Sequence, residues 1–346
     1  MFPRMVIDLS KIRRNVEKLS EKLGKSGIDM VGVTKLFMGE PALAKAYLEA
    51  GAKILADSRH ENITRMKNAG IEGPFMIIRI PPLSHIPMLK DTVEYYLVSE
   101  PEVAMKIDEE VKDAKMIYMV DVGDLREGVM YYEAVEEIEK VKKTLKNSSI
   151  IGVGTNIGCF GGVLPTKENL NRIVKVAKSV DAQIISVGGT VYLISFEKGE
   201  LPKEINQMRI GEAALLGTDV TGSREIPYLE QGTVIFEAEI IELKTKPSVP
   251  DGPIGYDSMG RKPIFEDKGK RLRAIIAAGE QDINPSGLMP LDEGAEVIHS
   301  SSDHTIVDVT EVQRPLKVGD ILRFRMNYSA TLRAMTSPYV EKVWLE

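Results

Sequence analysis

Lys35 directly follows a short apolar run in the segment VGVTKLFMG, at the point where a buried strand would end. A lysine at such a position is partly withdrawn from water, and this lowers its pKa toward that of a neutral amine. A neutral amine can form a Schiff base with a carbonyl compound. Taken alone, Lys35 could equally be a surface lysine that extends its ammonium group into solvent.

Two further segments carry groups that suit an anion. SVGGT (186–190) places Gly189 and the Thr190 hydroxyl after another apolar run, where backbone N–H groups could face a phosphate. MRIGE (208–212) places Arg209 at a strand end and Gly211 at the start of a helix, which also suits a phosphate. Each segment alone could be an ordinary turn. Together with Lys35, they are the groups that a pyridoxal phosphate site would need.

The elements that must position these groups are strands and helices in alternation. Uniformly apolar short strands are typical of a parallel sheet that is buried on both faces. Eight such strands with intervening helices predict a (β/α)₈ barrel, TIM-like, with functional groups at the carboxyl ends of the strands. A doubly wound open sheet is the alternative, which the missing GxGxxG disfavours. The eight predicted strands are Met30–Thr34, Ile54–Ala56, Phe75–Ile80, Tyr95–Val98, Met116–Val120, Ile150–Val153, Ile184–Val187 and, more weakly, Gln207–Ile210.

The pattern changes after about residue 223. Strand-like runs separated by turns continue to the end of the chain, and helical periodicity is nearly absent. We therefore predict a barrel over residues 1–223 and a mostly β domain over residues 224–346. An early strand at 5–9 could belong to either domain, and Ser10 is a candidate N-cap for the helix that follows it.

Composition excludes several classes of protein. A net charge of −6 over 346 residues argues against a nucleic-acid partner. The single cysteine, Cys159, and four scattered histidines favour neither disulfides nor a metal site, and Cys159 is expected to be a buried structural thiol. The sequence contains no apolar run long enough for a signal peptide or a membrane span. We therefore expect a cytoplasmic protein with no membrane partner.

Several motifs resemble those of a known family, in the same order along nearly the whole chain. The chain resembles the alanine-racemase-type, fold type III pyridoxal phosphate enzymes, and within them the ornithine racemase-like subgroup. The segments that carry the resemblance are MVIDLSKIRRNV, VTKLFMG, MVDVGDLREGV, GTNIGCFGG, MRIGEAALLG, PIGYDSMG, SSDHTIVDVT and NYSATLRAMTSPYV.

The resemblance implies a role for each matching residue. Lys35 matches the Schiff-base lysine, and Arg126 matches the arginine that approaches the substrate carboxylate and the cofactor. Arg209 matches the arginine that faces the pyridine nitrogen. The residues implied to bind phosphate are Gly211 and Glu212; the catalytic tyrosine is Tyr256; the residues implied to meet the partner's substrate site are Ser302 and Asp303.

Five positions depart from the alanine racemases. Asn156 replaces the histidine that stacks on the cofactor ring, and Gly39 lies near the place of a missing phosphate-binding tyrosine. Gly189 and Thr190 replace an Asn-Ser pair, and Glu280 replaces a further active-site tyrosine. The carboxylates of Glu280 and Asp303 could pair with a basic side chain. We therefore expect a basic amino acid as substrate: ornithine, with lysine and arginine as further candidates.

The resemblance implies a two-base racemase that works as a homodimer. Lys35 and the partner subunit's Tyr256 would exchange a proton on opposite faces of the substrate Cα. A decarboxylase of basic amino acids is one alternative, but it would carry a cysteine where this chain has Ser302. A non-catalytic pyridoxal phosphate homeostasis protein is another, but it would resemble the barrel alone. The roles of His304, Tyr328 and Tyr339 stay open.

Overall fold

The computed structural model describes every residue from Met1 to Glu346. The chain forms two compact units, Lys11–Gln231 and Met1–Ser10 with Gly232–Glu346. None of the helices combines the length and the apolar character that a membrane span needs.

The chain opens with strand β1 (Arg4–Asp8) and helix α1 (Leu9–Gly24). Buried Ile12, Val16 and Leu19 recur three or four residues apart and form one apolar face of α1. The helix begins at Leu9, so the prediction of Ser10 as its N-cap is wrong. Ser10 lies within the first turn, and its hydroxyl donates to Asp8 Oδ1 at 2.7 Å.

The eight predicted parallel strands form a closed barrel. Each pairs in parallel with the next, and the last strand pairs with the first through Gln207–Asp29 and the three residue pairs that follow. The predicted (β/α)₈ fold is therefore confirmed. The strands, with one short extra strand β7, are β2 (Asp29–Val33), β3 (Ile54–Asp57), β4 (Phe75–Ile77), β5 (Tyr95–Val98), β6 (Lys115–Asp121), β7 (Val129–Met130), β8 (Ser149–Asn156), β9 (Ile184–Gly188) and β10 (Gln207–Ile210).

Helices connect these strands, and their apolar faces are buried. In helix α7 (Lys167–Ser179) the N-cap is Thr166: its Oγ1 accepts from Asn169 N at 3.2 Å, and Asn169 Oδ1 accepts from Thr166 N at 2.8 Å. The helices are α2 (Pro41–Glu49), α3 (His60–Asn68), α4 (Ile86–Leu89), α5 (Pro101–Glu110), α6 (Ala134–Thr144), α7 (Lys167–Ser179), α8 (Tyr192–Glu197) and α9 (Glu212–Leu216); a hairpin of β11 (Thr218–Asp219) and β12 (Arg224–Glu225) follows.

The second unit is mostly antiparallel β structure, as predicted. Strand β1, which the sequence could not assign to one domain, pairs antiparallel with β13 (Val234–Pro247) and parallel with β19 (Glu341–Leu345). The strands of this unit after β1 are β13 (Val234–Pro247), β14 (Lys270–Ile276), β15 (Leu288–Pro290), β16 (Glu296–Ser300), β17 (Thr305–Asp308), β18 (Ile321–Met326) and β19 (Glu341–Leu345).

One helix in this unit was not predicted. Helix α10 (Tyr328–Thr336) begins after Asn327, whose side-chain oxygen accepts from Ala330 N at 2.9 Å. Its buried residues are small or hydroxylated, Ala330, Thr331 and Ala334, apart from Met335. A nine-residue helix with so few large apolar residues shows little hydrophobic periodicity. The asparagine before it, a residue type favoured at the N-cap, was the signal in the sequence that could have indicated the helix.

Candidate active site

Lys35 lies at the start of a single 3₁₀ turn, Lys35–Phe37, directly after the carboxyl end of β2. Met38 and Gly39 then adopt left-handed conformations, with φ of 55° and 62°, and end the turn. Burial lowers the pKa of the Lys35 amine, and Arg126 acts in the same direction, while Cys159, Asp57 and Glu127 oppose it. The structure therefore places a partly dehydrated amine at the mouth of the barrel.

Arg126 and Asn156 meet at the same end of the barrel. With the Asn156 amide oriented to satisfy both neighbours, its oxygen accepts from Arg126 Nη2 at 3.0 Å and its nitrogen donates to Gly188 O at 3.1 Å. Arg126 also forms an ion pair with Glu127. Asn156 thus connects the loop after β6 to the ends of β8 and β9.

Arg209 is buried inside the barrel, with only 4% of its surface exposed. It donates to Ser186 Oγ at 2.5 Å and to Thr155 O at 2.9 Å. A Cβ on Gly188 would lie 2.3 Å from Arg209 Nη2, so glycine is required for the guanidinium to reach this position. Burial lowers the pKa of Arg209 to about 10, and the group is therefore still protonated at neutral pH.

The segments after β9 and β10 also come together. Thr190 Oγ1 accepts from Ala213 N at 3.1 Å, and Gly189, with φ of 112°, donates its N–H to Arg209 O at 3.1 Å. Gly211 directly precedes α9, whose first N–H groups have no acceptors within the helix. The hydroxyl and these amides form a small polar cradle.

The Glu212 side chain does not belong to this cradle. Its Oε1 accepts from Thr218 Oγ1 at 2.7 Å and from Val220 N at 2.9 Å. Burial raises the pKa of Glu212 to about 7. Only the main-chain N–H of this residue is therefore available to serve the phosphate role that the resemblance implies.

Asp124, two residues before Arg126, was not among the predicted site residues. Its buried carboxylate accepts backbone N–H groups from Gly158 (3.0 Å), Phe160 (3.0 Å) and Gly161 (3.1 Å). The loop presents its backbone to Asp124, and Cys159 is exposed. The prediction of Cys159 as a buried structural thiol is therefore wrong. An acidic residue within DVGDLREG was the available signal for Asp124.

A second cluster forms within the β unit, centred on Arg261. Arg261 donates to Asp257 Oδ2 and Glu280 Oε1, each at 2.8 Å, and to Ser300 O at 2.7 Å. Ser300 Oγ also donates to Glu280, at 2.8 Å. The Glu280 carboxylate, predicted to be able to pair with a basic substrate, thus already has a cationic partner within the chain. Tyr256, beside Asp257, is 76% exposed.

Ser302 and Asp303 lie against the Glu280 segment. Glu280 N donates to Ser301 O at 2.9 Å, and Gln281 Nε2 donates to Asp303 Oδ1 at 2.9 Å. Asp303 itself is exposed and also accepts from the Ser302 hydroxyl. The structure thus brings Glu280, Ser302 and Asp303 together, joined to the Tyr256 loop through Arg261.

Comparisons with known proteins agree with this fold. Residues 7–219 match the family described as alanine racemase, N-terminal domain. Two solved alanine racemases superpose over 99% of this chain: one from Clostridium difficile 630 (TM-score 0.73, 19% identity, 96% of that chain) and one from E. faecalis (TM-score 0.74, 15% identity, 98% of that chain). The chain belongs to the alanine racemase family.

Two curated relatives match over 99% of this chain and 99% of their own length. One is the lysine racemase of Thermotoga maritima, which is 48% identical, and the other is the ornithine racemase of Acetoanaerobium sticklandii, which is 36% identical. The predicted family and the predicted enzyme class, an amino acid racemase, are confirmed.

Enzymes of this family use pyridoxal phosphate, which confirms the predicted cofactor. The residues present fit it. Lys35 offers an amine of lowered pKa, and Arg209 offers a buried, protonated guanidinium. Thr190 and the start of α9 offer a hydroxyl and amides for a phosphate.

Proposed function

We propose that this protein is a pyridoxal phosphate-dependent racemase of basic amino acids, with Lys35 as one of two proton-transfer groups. The observation that carries the proposal is the partly buried Lys35 amine, which burial and Arg126 shift toward its neutral form at the carboxyl ends of the barrel strands. A base works best when its pKa lies near the working pH, so a neutral amine here is suited to accept the substrate's α-proton.

The barrel residues that would hold the cofactor each have a distinct task. When bound, pyridoxal phosphate supplies an electron-withdrawing ring that acidifies the α-proton of the amino acid. Thr190 and the N–H groups of Gly211 and Glu212 would hold the phosphate, whereas Gly189, whose N–H is donated to Arg209 O, would shape the loop beside them. The protonated Arg209 can only donate a hydrogen bond to a ring nitrogen, and its charge opposes protonation there.

Arg126 would orient the substrate. Its guanidinium, held by Asn156 at 3.0 Å, can bind a carboxylate in a forked geometry. The proposed basic side chain of the substrate is supported by the two relatives, a lysine racemase and an ornithine racemase. Asp303 and Ser302, on the β unit, are the proposed polar groups for that side chain. Glu280 would act with them mainly by holding Arg261.

The second proton-transfer group would be the partner subunit's Tyr256 in a homodimer. The exposed Tyr256 side chain, held next to the Asp257–Arg261 turn, supports this assignment. The dimer and the cytoplasmic location stay predictions from the sequence.

The test is a chiral assay of the full chain and its Lys35→Ala variant with lysine, ornithine, arginine and alanine. We expect a basic amino acid to be preferred, and the variant to lose about 10²–10⁴-fold in rate because a proton-transfer group is gone. Borohydride should fix the cofactor to the wild-type chain but not to the variant. Preference for alanine would overturn the basic substrate, and cofactor fixation with full activity in the variant would overturn Lys35. Carbon dioxide release in the same assay would indicate a decarboxylase.

A further inference from the structure

Asp57 is a buried acidic residue at the carboxyl end of β3, beside the strand that leads to Lys35. None of its surface is exposed. Its carboxylate accepts from Thr34 Oγ1 at 2.7 Å, from Asn62 Nδ2 at 2.9 Å and from Arg59 N at 3.0 Å. These are neutral donors aimed at a group that would otherwise be expensive to bury in charged form. The signal in the sequence was an acidic residue that ends the apolar run ILAD.

These hydrogen bonds fix the turn that carries Lys35. Thr34, the residue before Lys35, is fully buried and donates its N–H to Ala56 O at 2.8 Å. Its own carbonyl accepts from Phe37 N at 3.0 Å and from Gly39 N at 3.3 Å, which closes the turn. A Cβ on Gly39 would lie 2.7 Å from Asn62 O, so the end of the turn packs against α3. Both ends of the turn are therefore tied to the Asp57–Asn62 segment.

The titratable groups that act on the Lys35 amine come from two loops and one strand end. Arg126 and Glu127 follow β6, Cys159 follows β8, and Asp57 ends β3. Glu127 is already paired with Arg126. Asp57 has no lysine or arginine partner within ion-pair distance, because its partners are a hydroxyl, an amide and a backbone N–H. Burial raises the pKa of the Asp57 carboxyl, and the hydrogen bonds from Thr34, Asn62 and Arg59 oppose this by favouring its charged form. In that form Asp57 is the buried carboxylate that can act on the amine.

We propose that Asp57 is a positioning residue for Lys35, which holds its turn through Thr34 and supplies the negative charge that stabilises the amine once it has taken up a proton. The proposal rests on the proposed function, because it concerns the same amine. An amine that is withdrawn from water and has no negative charge nearby would accept a proton poorly, because its charged form is not stabilised. A fixed carboxylate nearby offsets that penalty and keeps the amine able to alternate between its two forms.

Two substitutions separate the charge from the tether. Asp57→Asn removes the charge with little change in shape. It should be accommodated, because the Thr34 hydroxyl also lies 3.3 Å from Ala56 O and can donate there instead. Thr34→Val removes the tether and keeps the charge, and Thr34→Ser restores the hydroxyl. Asp108→Asn is the matched control, since Asp108 is 7% exposed and accepts N–H groups from Lys146, Asn147 and Ser148 instead.

The readout is the pH dependence of Lys35 acylation in the full chain freed of cofactor, measured by competitive labelling and mass spectrometry of the Lys35 peptide. We expect Asp57→Asn to move the midpoint for Lys35 down by about half to one pH unit, because a negative charge near an ammonium group is lost. Asp108→Asn should leave the midpoint unchanged. Thr34→Val should keep the midpoint and lower kcat about tenfold through misplacement of the amine, and Thr34→Ser should recover it.

Each contrary result overturns a defined part. An unchanged midpoint in Asp57→Asn, or an equal shift in Asp108→Asn, would overturn the charge effect. Wild-type kcat in Thr34→Val would overturn the tether, and this holds even if Asp57→Asn does not fold. Failure of the proposed function would give a different result. Borohydride would then still fix the cofactor to the Lys35→Ala variant, whatever the labelling midpoints of the Asp57 variants.

Discussion

Arg209 places a full positive charge inside the barrel without a carboxylate partner. Its acceptors are a hydroxyl and a carbonyl, Ser186 Oγ and Thr155 O. Ser186 in turn donates to Gln207 Oε1 at 2.7 Å, so the acceptors are themselves held in place. Buried charges are costly when incompletely paired, and such arrangements concentrate at functional sites. This arrangement leaves the other N–H donors of the Arg209 guanidinium able to bind a ligand.

Gly188 allows the Arg209 position to be tested without changing its charge. In Gly188→Ala the new Cβ would lie 2.3 Å from Arg209 Nη2 and 2.8 Å from the nearer amide atom of Asn156, so the guanidinium must move and the Asn156 amide must shift with it. We expect kcat to fall about 10²-fold, the scale on which a preorganised donor contributes to catalysis. A chiral assay gives the rate, and circular dichroism verifies the fold.

Gly24→Ala is the matched control for this prediction. Gly24 ends α1, and a Cβ there meets nothing within 4 Å. Its activity should match that of the wild type. If Gly188→Ala retains activity within a factor of about two while folded, the position of Arg209 is not critical to the reaction.

Among the elements, those with strong local patterns were predictable. Tyr95–Val98 and the Ile54–Ala56 part of β3 are uniformly apolar because both faces are buried in the barrel, and this is visible in the sequence. Lys35 and Arg209 could be chosen because the ends of such strands converge. Helix α10 was missed because small and hydroxylated residues form its buried face.

Side chains whose partners lie far along the chain were not predictable. Asp124 organises a loop more than thirty residues away, through bonds to backbone N–H groups that any sequence offers. Arg261 meets Glu280 and Ser300 only after the β unit has folded. Asp57 carries no motif, and its importance follows from the neutral donors around it. Such residues emerge from tertiary packing, which local periodicity does not encode.

The short helix α9 and the hairpin that follows it carry a pH-sensitive contact at Glu212. Burial raises the pKa of Glu212 to about 7, above the value of about 4.3 expected in an unfolded chain. The folded chain therefore binds the Glu212 proton more tightly than the unfolded chain does. The stability that this proton gives to the folded state is lost as pH rises from about 4 through 7. Glu212→Gln keeps the Oε1 acceptor for Thr218 and Val220 and removes the titration.

We expect Glu212→Gln to gain stability relative to the wild type between pH 5 and pH 8, by up to about 2–3 kcal/mol. Urea unfolding at the two pH values gives the difference in the free energy of unfolding. Asp292→Asn serves as the control, because the hydrogen bond from Arg314 lowers the pKa of Asp292 and this carboxyl stays ionised from pH 5 to pH 8. The difference in stability between this variant and the wild type should therefore be the same at both pH values. Parallel stability curves for the Glu212 variant and the wild type would show that Glu212 titrates normally in the folded chain.

At the scale of the whole molecule, the groups proposed to transfer protons lie in different compact units. Lys35 belongs to the barrel unit and Tyr256 to the β unit. A two-base mechanism needs both groups at one substrate, either from one chain or from two. The proposed homodimer assigns them to different chains, and symmetric dimers provide two equivalent sites of this kind.

Hybrid dimers decide between the two arrangements. If a Lys35→Ala chain pairs with a Tyr256→Phe chain, one site combines both substitutions and the other combines both intact residues. We therefore expect hybrids, purified by two different tags, to show about half the activity of a wild-type dimer tagged in the same way. Homodimers of either variant should be nearly inactive. If each site is instead completed within one chain, every site in the hybrid lacks one of the two groups, and the hybrid is as inactive as the variant homodimers. Failure to recover any doubly tagged species would contradict the dimer itself.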